Sequence, residues 1–344
     1  MMHQDGRRGG VLKGALIGFG NVALQAHLPA FRQNKHFRID VVVEPDPERA
    51  RLARELIPGV SVYTDIEPAI LRNALDFVDI CTPSHSHADL AEKACRAGLH
   101  VLCEKPLVTS IEGLERIEAA KASGCVLFTV NNWKHAPLWI KTRELLSEKR
   151  LGSVVSVSLT VLRPPNSGGG ISDWRRRAET AGGGILLDHG WHQLYLLRSV
   201  MNKTPVVVSA KMEYAGNIEE TADVLIQFHA GEARLHLTWR ASLRQNRGEI
   251  KAENGRLLIN DDHLVALAIG SPETRHDFAE ALSGGSHHPA WMERVVEDFR
   301  REISDETVCG ANLAEARWCA RLIHCAYQSS REGSRDVRVD NFAT

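Results

Sequence analysis

The sequence predicts an α/β protein in two parts: a doubly wound parallel sheet at the N-terminus, then an α/β domain built on an open, mostly antiparallel sheet. Three observations carry this prediction. An apolar run, Ala15-Leu16-Ile17, ends in Gly18-Phe19-Gly20-Asn21-Val22-Ala23, a G-x-G-x-x-A turn into a helix. The first ~130 residues alternate short apolar runs with helical stretches, which is how βαβ units read. Beyond about residue 150 the apolar spacing changes to period two, the mark of strands with one covered face.

In a doubly wound sheet each residue of such a glycine turn has its own purpose. The first glycine permits the tight turn, the second lets backbone approach a pyrophosphate, and a small third residue lets helix and strand pack closely. The pyrophosphate then lies on free N–H groups at the positive end of the helix dipole. Alone, the pattern is a common turn, and its meaning depends on the strands and acidic residue downstream of it.

Strands are expected at Val11–Gly18, Ile39–Val43, Val60–Tyr63, Phe77–Cys81, Val101–Cys103 and Val126–Val130. Their near-continuous apolar character suits strands covered on both faces. Helices are expected at Pro47–Leu56, Ala88–Ala97 and Ser110–Ala122. Pro29 falls inside the first helix, where it removes a hydrogen bond. A short opening segment and a second one starting near Pro29 are therefore expected. Glu44 follows the second strand, 24 positions after Gly20, close to the ~20 at which an acidic side chain reaches the ribose hydroxyls of a dinucleotide. A carboxylate there repels a 2′-phosphate, which favours NAD and makes NADP the poorer fit. The alternative is a solvated charge before the turn Pro45-Asp46-Pro47.

In the second part, Val155, Val157, Leu159 and Val161 alternate with Ser156, Ser158 and Thr160, and Leu235, Leu237 and Trp239 alternate with polar residues. The face carrying Leu235, Leu237 and Trp239 suits either contact with a second copy or cover by the domain's own helices. Asn254-Gly255 signals a hairpin between Ile250 and Ile259. Helices are expected at Pro137–Glu148, Ile185–Val200, Trp291–Ile303 and Asn312–Ser329, and loops at Ser167–Gly170 and Ser283–Ser286. The division this gives is a disordered leader over residues 1–10, a dinucleotide-binding domain over 11–131 and a substrate-binding and oligomerisation domain over 132–344.

With 344 residues the chain exceeds what one hydrophobic core usually organises. Hydrophobic content of 43%, charged content of 25% and a net charge of −1 are those of an ordinary globular protein. Such a balance gives no support for nucleic-acid or membrane-surface binding, which needs a basic excess. No apolar run approaches the ~20 residues that span a bilayer. Seven cysteines without C-x-x-C spacing suggest reduced thiols and a cytoplasmic location.

Ligands of parallel sheets bind at the carboxyl ends of the strands. Two stretches lie there: Thr82-Pro83-Ser84-His85-Ser86-His87 and Glu104-Lys105-Pro106. Further on, Gly182-Gly183-Gly184 precedes Asp188 and His192, four residues apart and so on one helix face. Taken in order, these motifs resemble the glucose–fructose oxidoreductase, inositol dehydrogenase and MocA family of nicotinamide-dependent oxidoreductases, over about Leu12 to Val339. The resemblance implies an N-terminal Rossmann domain and hydride transfer between NAD(P) and a secondary alcohol or ketone of a sugar, cyclitol or sugar derivative. It further implies a small, sugar-like substrate and a homodimer or homotetramer. By position, it puts Gly18, Phe19, Gly20, Asn21 and Val22 on the phosphates and Glu44 on the ribose. Thr82, His87 and Glu104 fall along the cofactor, Lys105 at nicotinamide and substrate, and Asp188 and His192 at the substrate.

The chemistry of the residue types agrees. A histidine titrating near neutrality suits a group that takes and returns a proton. A lysine ammonium stabilises charge developing on the reacting oxygen. In this reading His192 removes the hydroxyl proton, Lys105 polarises the same oxygen, and Asp188 orients the substrate or the imidazole. No metal is expected, although Cys81, His85 and His87, and Asp188, His189 and His192, hold metal-ligating atoms at short spacing.

The chain departs from the family pattern where a substrate is shaped. His189 and Trp191 flank Gly190, Tyr195 stands where an acidic residue is often found, and Asn131-Asn132-Trp133-Lys134-His135 forms an unusual linker. Arg163 and Trp174-Arg175-Arg176-Arg177 frame a glycine-rich loop. They are read either as a solvated basic loop with Trp174 over the cofactor, or as a site where Trp174 and Arg175 help hold an anionic substrate by forked guanidinium contacts. Two other activities fit the same fold: a glycosidase that uses NAD for transient oxidation and elimination, and a non-catalytic NAD-sensing regulator.

Overall fold

A computed structural model of the chain describes residues 10–148, 150–165, 174–285 and 287–339. The expected leader, apart from Gly10, and the glycine-rich piece 167–170 lie outside the described residues, as does Ser286. The chain divides into two compact units. One takes in the chain up to Leu107, Glu112–Val130 and His287–Leu313; the other takes in Val108–Ile111, Asn131–Ser286 and the chain from Ala314 onward. Residues 287–313, which the sequence division gives to the second domain, thus fall with the first unit.

The first unit holds a six-stranded sheet: β1 (Leu12–Ile17), β2 (Phe37–Val43), β3 (Ser61–Tyr63), β4 (Phe77–Ile80), β5 (His100–Cys103) and β6 (Leu127–Thr129). Every pairing is parallel and the order is β3-β2-β1-β4-β5-β6. This is the order of a dinucleotide-binding sheet, with its switch point between β1 and β4. Burial on both faces explains the unbroken apolar runs: all four residues of β4 are buried. Gly14 is needed inside β1 because a Cβ there would lie 2.1 Å from the Phe77 ring. Phe77 joins an aromatic cluster with Phe31, Phe37 and Phe299, at centroid distances of 5.1 to 6.0 Å. Phe299 comes from the helix Pro289–Ser304, whose apolar face (Met292, Val295, Val296, Phe299) is buried in this cluster. That is the physical reason the late helix belongs to the first unit.

Two helical segments do follow the glycine turn. Ala23–His27 is a single π-helical turn and Leu28–Gln33 is α-helical with Pro29 in its first turn. Pro29 has no N–H to donate, and the chain meets this with the wider turn, in which Leu28 N–H bonds back to Ala23 O.

The second unit holds a nine-stranded sheet: β7 (Val154–Leu162), β8 (Pro205–Ala215), β9 (Ile218–Phe228), β10 (Glu232–Thr238), β11 (Gln245–Ala252), β12 (Gly255–Asn260), β13 (His263–Ala268), β14 (Thr274–Asp277) and β15 (Val337–Arg338). The order is β14-β13-β12-β11-β7-β10-β9-β8-β15, antiparallel except for the β7–β10 pair. The period-two pattern holds with one correction. Val155 is 47% exposed; the register shifts opposite Lys251 and Ala252, so Val154 takes the inward place. The hairpin forms between Ala252 and Gly255, with Glu253 and Asn254 at its tip. Gly255 is required there by crowding, since a Cβ would sit 2.2 Å from Leu267 O. Leu235, Leu237 and Trp239 are buried within the single chain. Of the two roles open to that face, cover by the protein itself is therefore the one it has. Among the described residues no helix is long and apolar enough to cross a membrane.

The three glycines before Asp188 are each demanded by packing. Gly182 has φ +78°; a Cβ on Gly183 would lie 2.2 Å from Tyr327 Oη, and one on Gly184 2.0 Å from the Glu219 carbonyl oxygen. Gly184→Ala is expected to lower stability by about 1–3 kcal/mol, through displaced backbone at β9. A thermal melt showing no loss would contradict that account.

Candidate active site

In the first unit the ends of β1, β2, β4 and β5 bring together most of the predicted cofactor residues. Gly18 has φ +84° and a Cβ on it would meet Thr82 Cγ2 at 2.9 Å and the Cys81 backbone at 3.2 Å. Gly20 has nothing within 4 Å of where a Cβ would stand. The first glycine is thus forced by the fold, while the second leaves open space against which a ligand can lie, as the glycine pattern requires.

Glu44 is buried and both its oxygens accept backbone hydrogen bonds, Oε2 from Phe19 N at 2.7 Å and Oε1 from Asp46 N at 2.9 Å. This corrects two expectations. Glu44 is no solvated charge, because it ties the glycine loop to the end of β2. Phe19, whose ring is buried, gives its N–H to Glu44 and not to a phosphate. A carboxylate offers about four lone-pair sites, so Glu44 keeps acceptor capacity for ribose hydroxyls. Asn21, exposed, and Val22, half-buried, open the helix beside Gly20.

His87 is buried, with Nδ1 2.7 Å from Pro106 O and Nε2 2.8 Å from Thr82 O. Burial lowers its pKa, only partly offset by the two carbonyls. It clasps the loop after β4 to the loop after β5, and in place of the expected cofactor contact both ring nitrogens face backbone. Cys81, His85 and His87 do not converge on a metal: His85 is exposed and Cys81 Sγ lies 3.3 Å from His27 Nδ1.

Sequence reasoning missed the group beneath Lys105. His27, in the π-helical turn and fully buried, has Nδ1 2.8 Å from Asp79 Oδ2 and Nε2 3.0 Å from Glu104 Oε1. Burial acts to lower the His27 pKa, but Asp79 and Cys81 outweigh it and hold the pKa well above 6.5. For Glu104, burial acts upward and is outweighed by His27 and Lys105, so the carboxyl pKa is lowered. Asp79 is raised, by burial that His27 only partly offsets. An imidazolium bridging two carboxylates is the state this describes. Glu104 Oε2 also accepts the Lys105 N–H at 3.0 Å, so the bridge reaches the base of the predicted catalytic lysine. The Lys105–Pro106 peptide bond is cis. His27, Asp79 and Cys81 have ligand atoms close enough for a metal ion, but the 2.8 Å His27–Asp79 separation is a hydrogen bond. A histidine four residues past the third position of the glycine turn was the available signal.

In the second unit, Asp188 lies in a π-helical turn, Leu186–Gly190, and His192 in the α-helix Trp191–Met201 that continues it. Glu219, unnoticed in the sequence, accepts from Gly184 N (2.8 Å), Leu186 N (3.1 Å) and Tyr327 Oη (2.7 Å). A carboxylate so placed satisfies free N–H groups and complements the helix dipole. Burial raises the Glu219 pKa against those hydrogen bonds.

His192 is 6% exposed. Its Nδ1 is 2.7 Å from Tyr195 Oη, and the Trp133 ring stacks on it at 4.6 Å and 16°. Trp133 N donates to the same Tyr195 oxygen at 3.0 Å. Tyr195 Oη is thus the group beside Nδ1, which leaves Asp188 the other of its two expected roles, orienting the substrate. Asp188 Oδ2 lies 3.2 Å from His189 Nδ1. Arg163 Nε donates to His189 Nε2 at 3.2 Å, which leaves the hydrogen of a neutral His189 on Nδ1, since an arginine N–H only donates.

Arg163 is wholly buried and belongs to no solvated loop. It also donates to Leu162 O, Gln245 O and Asn246 Oδ1. Burial and the neighbouring Arg244 bring its pKa down to about 9. Arg175 stacks over Trp174 at 4.6 Å, while Arg176 pairs with Glu220 at 3.4 Å and lies over Trp239 at 5.7 Å. A cleft of about 520 Å³ in this unit, lined by Thr109, Gly183, Tyr214, Glu219, His324 and Tyr327, does not include Asp188 or His192.

Residues 12–132 match the family described as "Oxidoreductase family, NAD-binding Rossmann fold", and residues 139–258 match the "GFO/IDH/MocA C-terminal domain". The chain is 29% identical over 274 residues to 1,5-anhydro-D-fructose reductase of Ensifer adhaerens, covering 77% of this chain and 80% of that protein. It is also 29% identical over 324 residues to a D-xylose 1-dehydrogenase (NADP(+)) of Haloferax volcanii, covering 93% and 97%. Among solved structures, levoglucosan dehydrogenase in complex with NADH superposes with a TM-score of 0.85 at 20% identity, over 96% of this chain and all of that one. With both of its domains matched and its parallel sheet in the dinucleotide-binding order, the chain belongs to the GFO/IDH/MocA family of oxidoreductases, with an NAD-binding Rossmann fold at its N-terminus.

Proposed function

We propose that this protein is an NAD-dependent oxidoreductase that interconverts a secondary alcohol and a ketone on a sugar, cyclitol or sugar derivative. The observation that carries the reading is His192, a nearly buried imidazole held between Trp133 and Tyr195 on a helix whose N-terminus is tied down by Glu219. A scaffold that fixes one titratable ring so closely suits proton handling.

The residues at the strand ends fit a nicotinamide dinucleotide: Gly20 offers open backbone and Glu44 offers acceptor sites that repel a 2′-phosphate. Bound there, the dinucleotide supplies a carbon that takes or gives hydride. The protein's own groups do the rest. Lys105, whose backbone N–H is held by Glu104, is assigned to polarise the reacting oxygen. His192 is assigned to the proton on that oxygen, and Asp188, whose Oδ2 lies 3.2 Å from His189 Nδ1, to a substrate hydroxyl. Trp174 and Arg175 are assigned to cover the substrate, Arg175 also offering a forked contact to an anionic one. The relatives' sugar and sugar-derivative substrates support the substrate class.

The test is calorimetric binding of NAD and NADP, then a panel of polyols, sugars, anhydro-sugars and sugar phosphates followed by nicotinamide absorbance. Micromolar NAD binding, weaker NADP binding and turnover on one sugar class are expected. Tight binding without net absorbance change on any substrate would favour the NAD-retaining glycosidase or the sensor. Absence of nucleotide binding would remove the reading.

A further inference from the structure

We propose that His27 is a positioning residue for Lys105: its ring holds the Glu104 carboxylate against the end of β5, where the other oxygen of that carboxylate fixes the Lys105 backbone N–H. The role rests on the proposed function, in which Lys105 polarises the reacting oxygen.

Glu104 leaves β5 with its own N–H bonded to Ile80 O at 2.9 Å. Its side chain then turns back on the chain, Oε2 accepting from Lys105 N at 3.0 Å and Oε1 meeting His27 Nε2 at 3.0 Å. With the Lys105 contact alone, a glutamate side chain that is 15% exposed would trade that contact for water, because holding it costs rotamer freedom. The ring supplies a second point of attachment, and two points fix the carboxylate. His27 is itself held fast. It ends the π-helical turn between buried Ala26 and Leu28, with Nδ1 2.8 Å from the wholly buried carboxylate of Asp79.

Each of the two ring contacts needs a hydrogen, and a neutral imidazole carries only one. An imidazolium between two carboxylates provides both. Replacing every member of a buried ionic group by apolar residues often costs a fold little. What an apolar neighbour cannot give Glu104 is a direction. Lys105 can meet a reacting oxygen reliably only from a fixed stretch of backbone, since a misplacement of about 1 Å can cost about 10²-fold in rate. His27 acts on Lys105 through Glu104, which makes it a positioning residue and not a catalytic one.

The Lys105 amide can be read in the free protein, so failure here and failure to bind NAD or turn over a sugar are separate results. Amide hydrogen exchange is followed on chain labelled with 15N-lysine, and Lys105→Arg assigns the signal. Glu104→Ala sets the rate of a released amide, expected about tenfold or more above wild type, the weight of a hydrogen bond to a charged group. His27→Leu/Asp79→Asn removes the cation together with the buried charge it pairs, and its urea midpoint shows that the fold is kept. In this pair Lys105 is expected to exchange at the Glu104→Ala rate. His27→Gln/Asp79→Asn, whose glutamine amide can donate to Glu104, is expected to keep the wild-type rate. On the sugar that the panel identifies, the leucine pair should lose about ten- to hundredfold in kcat with KM little changed. A wild-type exchange rate in the folded leucine pair would overturn the proposal, because a ring that only fills space can be replaced by leucine without freeing Lys105. Equally fast exchange in both pairs would overturn it too, as a general loosening, and so would a Glu104→Ala rate equal to wild type or a wild-type kcat in the leucine pair. Should that pair not fold, His27→Met/Asp79→Val gives the same comparison.

Discussion

Replacing His27 by leucine is expected to lower the unfolding free energy by about 3–5 kcal/mol, although the residue is fully buried and belongs to no recognised motif. The size comes from the groups left behind. Asp79 is wholly buried, its Oδ1 has no hydrogen-bond partner among the described residues, and its Oδ2 depends on His27 Nδ1 and the weak thiol of Cys81. Glu104 has 15% of its side chain exposed and gives Oε1 to His27 Nε2. Leucine fills the volume but deprives two carboxylates of their shared cation, and an unpaired buried charge is among the largest single destabilising changes. Urea denaturation measures it; a loss below about 1 kcal/mol would mean that the bridge is not ionic.

The pH dependence has a definite sign. The His27 pKa is raised in the folded state, so its contribution is fully present below about pH 6.5, the unfolded value, and fades as pH climbs through the folded value. Glu104 is lowered, so its contribution holds above about pH 4.5 and fades as pH falls through its folded value. The wild-type advantage over His27→Leu should therefore be largest at about pH 5–6.5 and decline on the alkaline side.

The second large effect concerns turnover. His192→Asn should lower kcat by about 10²–10⁴, the usual weight of a positioned proton-transfer group. Lys105→Met should lower it by about 10²–10³, the weight of one donor to a developing oxyanion. His192→Asn touches neither the glycine turn nor Glu44, so its NAD affinity by calorimetry should stay within about threefold of wild type. That separation of binding from turnover is the discriminating result. Loss of NAD affinity in His192→Asn would show that the residue serves the fold, and near-normal turnover in both folded variants would refute their assignment.

Several features of the site could be read from single residues because each answers a local requirement. Gly18 needs a positive φ, Pro29 lacks an N–H and forces the helix to restart, and the apolar runs of β1, β2 and β4 have no polar face to turn to solvent. Glu44 was visible by its distance from the glycine turn, but not that it would hold Phe19 N–H itself. Val155 was placed on the wrong face because a register shift opposite Ala252 cannot be inferred from alternation within one strand. Arg163 looked like part of a basic loop because its neighbours along the chain are polar. Its burial comes from β7 lying beside β11, whose Gln245 and Asn246 accept its N–H groups.

What the sequence determined by itself is the order of events along the chain: a glycine turn after a buried strand, parallel units, a change to period two, and a lysine and a histidine in motifs of one oxidoreductase family. Those are local properties, set by sterics, periodicity and spacing. Only the tertiary structure decided which distant groups meet. His27 bridges Asp79 and Glu104, 52 and 77 residues away; Glu219 ties the helix of Asp188 from 35 residues away; and Trp133 reaches the phenol of Tyr195 across 62. Each is a hydrogen bond or ion pair made strong by burial, and burial belongs to the packed chain and not to any stretch of its sequence.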